Sequence, residues 1–254
     1  MTKVCHMTSA HTSADTRIFH KECVSLAGAG YEVYLVAPGE SREDNGVHVI
    51  GVGTKPGSRL KRMTEIAKKV YTKALELDCD IYHFHDPELL PYGVKLKKRG
   101  KKVIFDSHEN YSVQILEKGY LSPAVRKLVS IVYKWYETRC VKHFDAVVVP
   151  GTMNGRNFFE NRAKKTVFID NYPLLSEFQN ETNALQPAFQ IIYVGALTYE
   201  RGITYLMRAA FQAKVKLILA GGISPLYLKE LQEEEGFSCV DYRGLLTRQE
   251  VVEA

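Results

Sequence analysis

The chain has 254 residues, 45% of them hydrophobic and 25% charged, a composition that excludes an intrinsically disordered, collagen-like or polytopic membrane protein. Thirty-four Lys and Arg against 29 Asp and Glu leave a net charge of +5, which permits an anionic ligand or membrane surface without demanding nucleic acid. The longest apolar runs, Ala146 to Val149 and Leu217 to Ala220, fall far short of the ~20 residues a bilayer-spanning helix needs. The opening Met-Thr-Lys-Val-Cys-His lacks a long apolar core, and the five cysteines are scattered without a C-x-x-C pair. A cytoplasmic chain with reduced thiols and no zinc site of cysteines is therefore expected.

Short β-branched runs alternate with helical-period segments, the pattern of repeated βα units around a mainly parallel sheet. Strands are expected at 4–7, 32–36, 47–50, 81–84, 102–105, 146–149 and 166–169, then at 190–194, 216–220 and 238–242. Helices are expected at 16–29, 59–77, 88–98, 123–143, 153–161, 203–213, 225–235 and from 247 onward. Between them, residues 171–188 hold Pro173, Pro187 and a polar run; so long an unpatterned stretch reads as an interdomain linker. The expected organisation is a first domain at 1–170 with about seven strands and a second at 189–254 with three.

In an open α/β sheet, ligands bind beyond the carboxyl ends of the strands, beside helix N-termini. The first strand runs into a polar loop that ends in Asp15 and Arg17, ahead of the apolar helix positions Phe19, Cys23 and Leu26. This is either a capping Asp with a surface Arg or the edge of a site. The strand at 81–84 exits into His83-Phe-His85-Asp86-Pro87, where alternation puts His83 and His85 on one face and Pro87 suits a first helical turn behind Asp86. Two histidines alone are weak evidence for a metal, which needs further ligands at defined geometry. The next strand exits into Asp106-Ser-His108-Glu109. Three polar clusters at successive strand ends point to one shared cleft.

Two glycine or acidic motifs are set aside. Gly51-Val-Gly53 is followed by a third glycine one position too late for G-x-G-x-x-G, and Asp78-Cys-Asp80 precedes its strand, at the wrong edge of the sheet. In the second domain, Tyr193-Val-Gly195 leads to Arg201-Gly202 at a helix start, and the next strand ends in Gly221-Gly222. A helix N-terminus with an arginine suits a diphosphate, and glycines allow close backbone approach. The helix at 123–143 carries Val125, Leu128, Val129, Val132 and Tyr136 at helical spacing, with Arg126, Lys127, Lys134, Arg139 and Lys142 on its other faces. Its basic surface is either a solvated face or one that meets a membrane.

Asp15-x-Arg17-Ile-Phe-x-Lys-Glu22, His83-x-His85-Asp-Pro-Glu-Leu-Leu-Pro91, Phe105-Asp-Ser-His108-Glu109 and, later, Tyr193-Val-Gly195, Arg201-Gly202-Ile, Leu219-Ala-Gly-Gly222 and Asp241-Tyr-Arg-Gly244 occur in that order. Together they resemble the family 4 retaining glycosyltransferases of GT-B fold. The resemblance implies two Rossmann-like domains flanking a cleft, the acceptor on the first and a nucleotide-sugar donor on the second. His108 would then meet the transferred sugar, Glu109, His85 and Asp86 would line the floor with Asp15 and Arg17, and Arg201 with Gly195, Gly202, Gly221 and Gly222 would receive the donor. It also implies transfer to a saccharide or lipid-linked acceptor in bacterial surface-polysaccharide assembly, no metal or other cofactor, no nucleic acid, and peripheral contact with the inner membrane face.

Three departures stand out. Ser9-Ala10-His11 occupies the place of a glycine pair, Ala196 stands where relatives carry a basic residue, and no E-x7-E segment follows. The resemblance therefore implies a C-terminally truncated form with impaired transfer. Two alternatives remain at this stage: a non-catalytic acceptor- or lipid-binding module that needs a donor-binding partner, and a GT-B-type nucleotide-sugar epimerase.

Overall fold

The protein is described by a computed structural model. It covers every residue except 55–57, 59, 60, 109, 117, 119, 120, 152–156, 175–188 and 254, and the side chains of Arg62, Arg248, Val252 and Glu253. The chain divides into two compact units, Met1–Tyr172 and Pro173–Ala254. Most of the linker expected at 171–188 lies outside the described residues.

The first unit is built on eight strands: β1 (Lys3–Met7), β2 (Glu32–Ala37), β3 (Arg42–Asp44), β4 (Val47–Gly51), β5 (Ile81–Phe84), β6 (Lys102–Asp106), β7 (Ala146–Val149) and β8 (Thr166–Phe168). Their order is β3-β4-β2-β1-β5-β6-β7-β8, parallel throughout except for β3, which pairs antiparallel with β4. The chain grows outward from β1 through β2 and β4, then returns to the far side of β1 with β5. That reversal is the topological switch point where doubly wound sheets bind ligands.

Strand β3 was not expected. Asn45 and Gly46 both take positive φ, 50° and 76°, which is the Asn-Gly signature of a tight hairpin. The helical run Thr16–Cys23 starts as a wide, π-type turn and continues as Val24–Gly28. It seats Ile18, Phe19 and Cys23 on Val33, Leu35, Val47 and Val49 of β2 and β4. Helices Ala67–Glu76, Leu90–Lys98 and Pro123–Val141 enclose the other core, whose largest members include Tyr82, Phe84, Phe105 and Phe144. Gly93 permits this packing, since a Cβ there would stand 2.6 Å from the Phe84 ring.

Several local expectations need correction. A short helix, Tyr111–Leu116, was not anticipated; the Asn110 carboxamide oxygen caps it by accepting from the Val113 amide at 3.4 Å and also accepts from the Ser112 hydroxyl at 2.7 Å. Of the helix expected at 153–161, residues 153–156 lie outside the described residues and 158–161 form turns. There, Arg162 reaches back to the buried Glu137 and stacks on Phe159.

The largest reversal concerns helix Pro123–Val141. Its inward positions are Ser130, Glu137, Cys140 and Val141, while the apolar stripe faces outward, with Leu128 62% and Val132 54% exposed, and Ile131 and Trp135, outside that stripe, are exposed as well. The inward polar groups are satisfied: the Ser130 hydroxyl donates to the Ser112 carbonyl at 2.6 Å, and the Tyr133 hydroxyl to Glu137 at 2.9 Å.

The second unit has a parallel sheet of β9 (Gln190–Val194), β10 (Lys216–Ala220) and β11 (Val240–Gly244) in the order β11-β10-β9. Strand β11 starts two residues later than expected because Glu235–Cys239 forms a 3-10 run. Helices Ile203–Gln212 and Pro225–Gln232 place Ile203, Met207, Tyr227 and Leu231 on Leu217 and Leu219. Among the described residues, no helix is long and apolar enough to cross a membrane.

Candidate active site

The switch point of the first unit is lined by side chains from the ends of β1, β5 and β6. Asp86, two residues past the end of β5, is fully buried. It precedes Pro87 at the head of a short helical turn but makes no side-chain cap there. Its Oδ2 instead accepts hydrogen bonds from the Thr8 hydroxyl at 2.8 Å, the Ser9 amide at 2.6 Å and the Ala10 amide at 3.1 Å. Successive amides converging on one carboxylate form an anion nest. Asp86 thereby fastens the loop after β1 to the end of β5, and His11 Nε2 lies 3.5 Å from its other oxygen.

Asp15 caps the next helix, accepting from the Arg17 and Ile18 amides at 2.9 and 3.0 Å. Burial opposes its charge, but the His11 side chain and those two amides prevail and hold its carboxyl at about 2. The capping reading of Asp15 is thus correct, whereas the surface reading of Arg17 is not. Arg17 is buried, its Nη2 donating to the buried Asp106 at 3.1 Å, both Nη atoms to the Ile169 carbonyl at 3.3 Å, and its Nε lying 3.0 Å from Glu22. In an ordinary helix, residues five apart diverge around the axis; the wide turn at Thr16–Cys23 brings Arg17 and Glu22 to the same side.

Beside this ion pair lies a stack of imidazoles. In register, His6 of β1 is the partner of His83 in β5, and their rings sit 4.6 Å apart. His83 stacks on His85 at 4.8 Å, and His85 on His108 at 5.3 Å with the planes 6° apart. His85 links the stack: its Nε2 shares a hydrogen bond with His6 Nδ1 at 3.0 Å and its Nδ1 one with His108 Nε2 at 3.2 Å. Burial lowers the pKa of all four, His6 to about 3, so these rings are neutral at pH 7. Glu22 moves the other way, raised to about 9 by burial and by the neighbouring Asp106.

The structure therefore brings His108, His85, Asp86, Asp15 and Arg17 to one strand edge, while Glu109 lies outside the described residues. Asp106, already part of the third polar strand-end cluster, belongs to the same constellation, as do His6, His11 and Glu22, to which the sequence assigned no role. A usable signal existed for His6, because a doubly wound order places β1 against β5 and hence His6 against His83. Among the described residues, the groups that could hold a metal are His6, Glu22, His83 and His85, or His85, Asp106 and His108.

In the second unit, the corresponding edge is made of backbone. Gly195 follows β9 and Gly221 follows β10, with φ of 153° and 147°. A Cβ on Gly221 would lie 1.7 Å from the Gly195 carbonyl oxygen, so only glycine allows the two strand ends to meet. Gly222 accepts a hydrogen bond from the Leu197 amide at 2.9 Å. Gly202, with φ 73°, opens helix Ile203–Gln212, and the exposed Arg201 precedes it.

A family model described as Glycosyltransferase Family 4 matches residues 17–171, more than half of the chain. Among solved structures, sucrose-phosphate synthase from Thermosynechococcus elongatus is similar with a TM-score of 0.69 at 16% identity, over 99% of this chain and 72% of that one. Anabaena Alr3699/HepE, solved in complex with UDP, gives 0.64 at 14% over 98% and 70%. WaaG, a glycosyltransferase involved in lipopolysaccharide biosynthesis, gives 0.63 at 13% over 100% and 72%. No curated protein sequence matches significantly. With its strand-end clusters inside the matched region and its architecture shared with these structures, the chain belongs to glycosyltransferase family 4 and has the GT-B fold.

Proposed function

We propose that this chain transfers a sugar from a nucleotide-sugar donor to a saccharide or lipid-linked acceptor with retention of configuration, in bacterial surface-polysaccharide assembly. The observation that carries the proposal is the convergence of His11, His85, Asp86 and His108 at the switch point of the first unit. In the reaction, the bond from the sugar's anomeric carbon to the donor phosphate breaks and one to the acceptor oxygen forms. The acceptor proton leaves with the nucleoside diphosphate. His108, with Glu109 beside it in sequence, is assigned to the transferred sugar. Arg201, at the head of the glycine-lined edge of the second unit, is assigned to the diphosphate, where its charge stabilises the leaving group. No metal ion is assigned to this step.

The test pairs the purified chain with a panel of labelled nucleotide-sugars and saccharide or lipid-linked acceptors. Labelled acceptor of unchanged anomeric configuration is expected at the low rate that impaired transfer implies, with His108→Ala lowering that rate further, roughly 100-fold or more. A folded chain that neither binds nor transfers any donor would overturn the proposal, and sugar altered without any acceptor would indicate epimerisation instead.

A membrane-borne acceptor fits the outward stripe of helix Pro123–Val141. Leu128, Ile131 and Trp135 are exposed beside Lys127, Lys134 and Arg139, with the Arg139 guanidinium 5.8 Å from the Trp135 ring. Apolar side chains with flanking cations match an anionic bilayer. Vesicles containing anionic lipid are expected to sediment the chain in a salt-sensitive manner, and Leu128→Ser with Trp135→Ser to abolish this. Equal binding to neutral vesicles would refute it.

A further inference from the structure

We propose that His6, His83, His85 and Glu22 form a binding site for a zinc-class divalent metal ion at the root of the candidate active site. This site goes beyond the transfer reaction and departs from the sequence-based expectation of no metal. The two histidines visible in the His83-x-His85 motif lacked further ligands, and tertiary structure supplies them from β1 and from the helical run after it.

The geometry suits such an ion. His6 Nδ1 and His85 Nε2 are 3.0 Å apart, and each lies 3.7 Å from Glu22 Oε2. Zinc bound at 2.0–2.2 Å by nitrogen and oxygen sets neighbouring tetrahedral ligands about 3.4 Å apart, so these three atoms already form one face of a coordination tetrahedron. One ligand atom from each of the four residues falls within 4.8 Å of the others, leaving His83 a modest side-chain adjustment to complete it.

A second observation is independent of those distances. His6 Nε2, His83 Nε2 and Glu22 Oε2 are buried without a hydrogen-bond partner, and His6 is fully buried. Unsatisfied polar atoms in a core are costly, and an ion would satisfy two of these, Glu22 Oε2 and His83 Nε2, while His6, bound through Nδ1, keeps its Nε2 outside the coordination shell. Arg17 does not veto the site: its Nη2 is matched by Asp106 at 3.1 Å and its Nε lies 3.0 Å from Glu22 Oε1, which leaves the other carboxylate oxygen, Oε2, toward the histidines. Imidazole with one carboxylate is the donor set of first-row divalent ions such as Zn²⁺.

The surroundings also fit. A cavity of about 470 Å³ on this face of the sheet reaches His6, Glu22 and His83 and offers an access route. Metal on His85 Nε2 would fix the proton on Nδ1, aimed at His108 Nε2, so the ion would orient His108 through its neighbour. In this role His85 is a positioning residue.

The experiment uses the full, untagged chain, stripped with a chelator and titrated with Zn²⁺ against a chromogenic competitor. One equivalent per chain is expected to bind, and Co²⁺ in its place to give the intense visible absorption of a four-coordinate site. Glu22→Gln, nearly isosteric, and His6→Phe are each expected to weaken binding roughly 100-fold or more, while His48→Ala, on the exposed β4, leaves it unchanged. Circular dichroism and denaturant melts establish that each variant is folded; if His6→Phe is not, Glu22→Gln decides alone. The proposal is overturned if the folded wild type takes up no stoichiometric metal, if a folded Glu22→Gln binds as wild type does, or if binding disappears in His48→Ala. None of these outcomes depends on transferase activity.

Discussion

At the carboxyl edge of the first sheet, β1, β5 and β6 run into His, Asp, Thr and Ser side chains that bond to one another in the interior. At the same edge of the second sheet, β9 and β10 run into Gly195 and Gly221, and backbone meets backbone. One unit thus places its chemistry on buried side chains whose loss exposes uncompensated partners. The other places it on bare peptide groups, where damage comes from adding atoms. Deletion should hurt the first unit, and addition the second.

The strongest test of that contrast is deletion at Arg17. Arg17→Met leaves the fully buried Asp106 without its guanidinium, and unfolding in urea should reveal a loss of about 3–5 kcal/mol. A midpoint unchanged from wild type would show that the ion pair does not hold the β6 end in place.

Addition at Gly221 comes next. Gly221→Ala forces a methyl toward the Gly195 carbonyl at a backbone angle unfavourable to any other residue, and should cost about 1–3 kcal/mol. Gly222→Ala, one residue on, meets nothing closer than 3.9 Å and should stay within about 0.5 kcal/mol. Equal effects of the two would break the backbone half of the comparison.

The smallest effect belongs to Asp15, where a side chain serves backbone. Asp15→Ala removes the cap and should cost about 1 kcal/mol at pH 7. The folded carboxyl titrates at about 2 against 3.8 for an ordinary one, so the unfolded chain binds the proton more readily. The advantage of wild type is therefore full above pH 3.8 and lost as pH falls toward 2. Melts of both proteins across that range should converge.

Much of the architecture was legible because β-branched runs and glycine punctuation are local signals. Strands β5, β7, β9 and β10 begin and end at the expected residues. The β3 hairpin was equally local in its Asn45-Gly46 turn, but a three-residue strand is too short for alternation to mark. Helix Pro123–Val141 misled for the opposite reason: periodicity identifies an apolar stripe, not which way it faces. Ser130 and Glu137 could turn inward only because Ser112 and Arg162, distant in sequence, satisfy them.

The candidate site divides in the same way. By itself, the sequence determined the βα alternation, the polar strand ends carrying His85, Asp86 and His108, and the turn glycines, since each depends on residues close along the chain. Only tertiary structure decided that Arg17 is buried against Asp106, that His6 lies beside His83, and that Glu22 completes their cluster. Those groups are 16 to 89 residues apart, and no short-range periodicity encodes a meeting that strand order and a wide helical turn bring about.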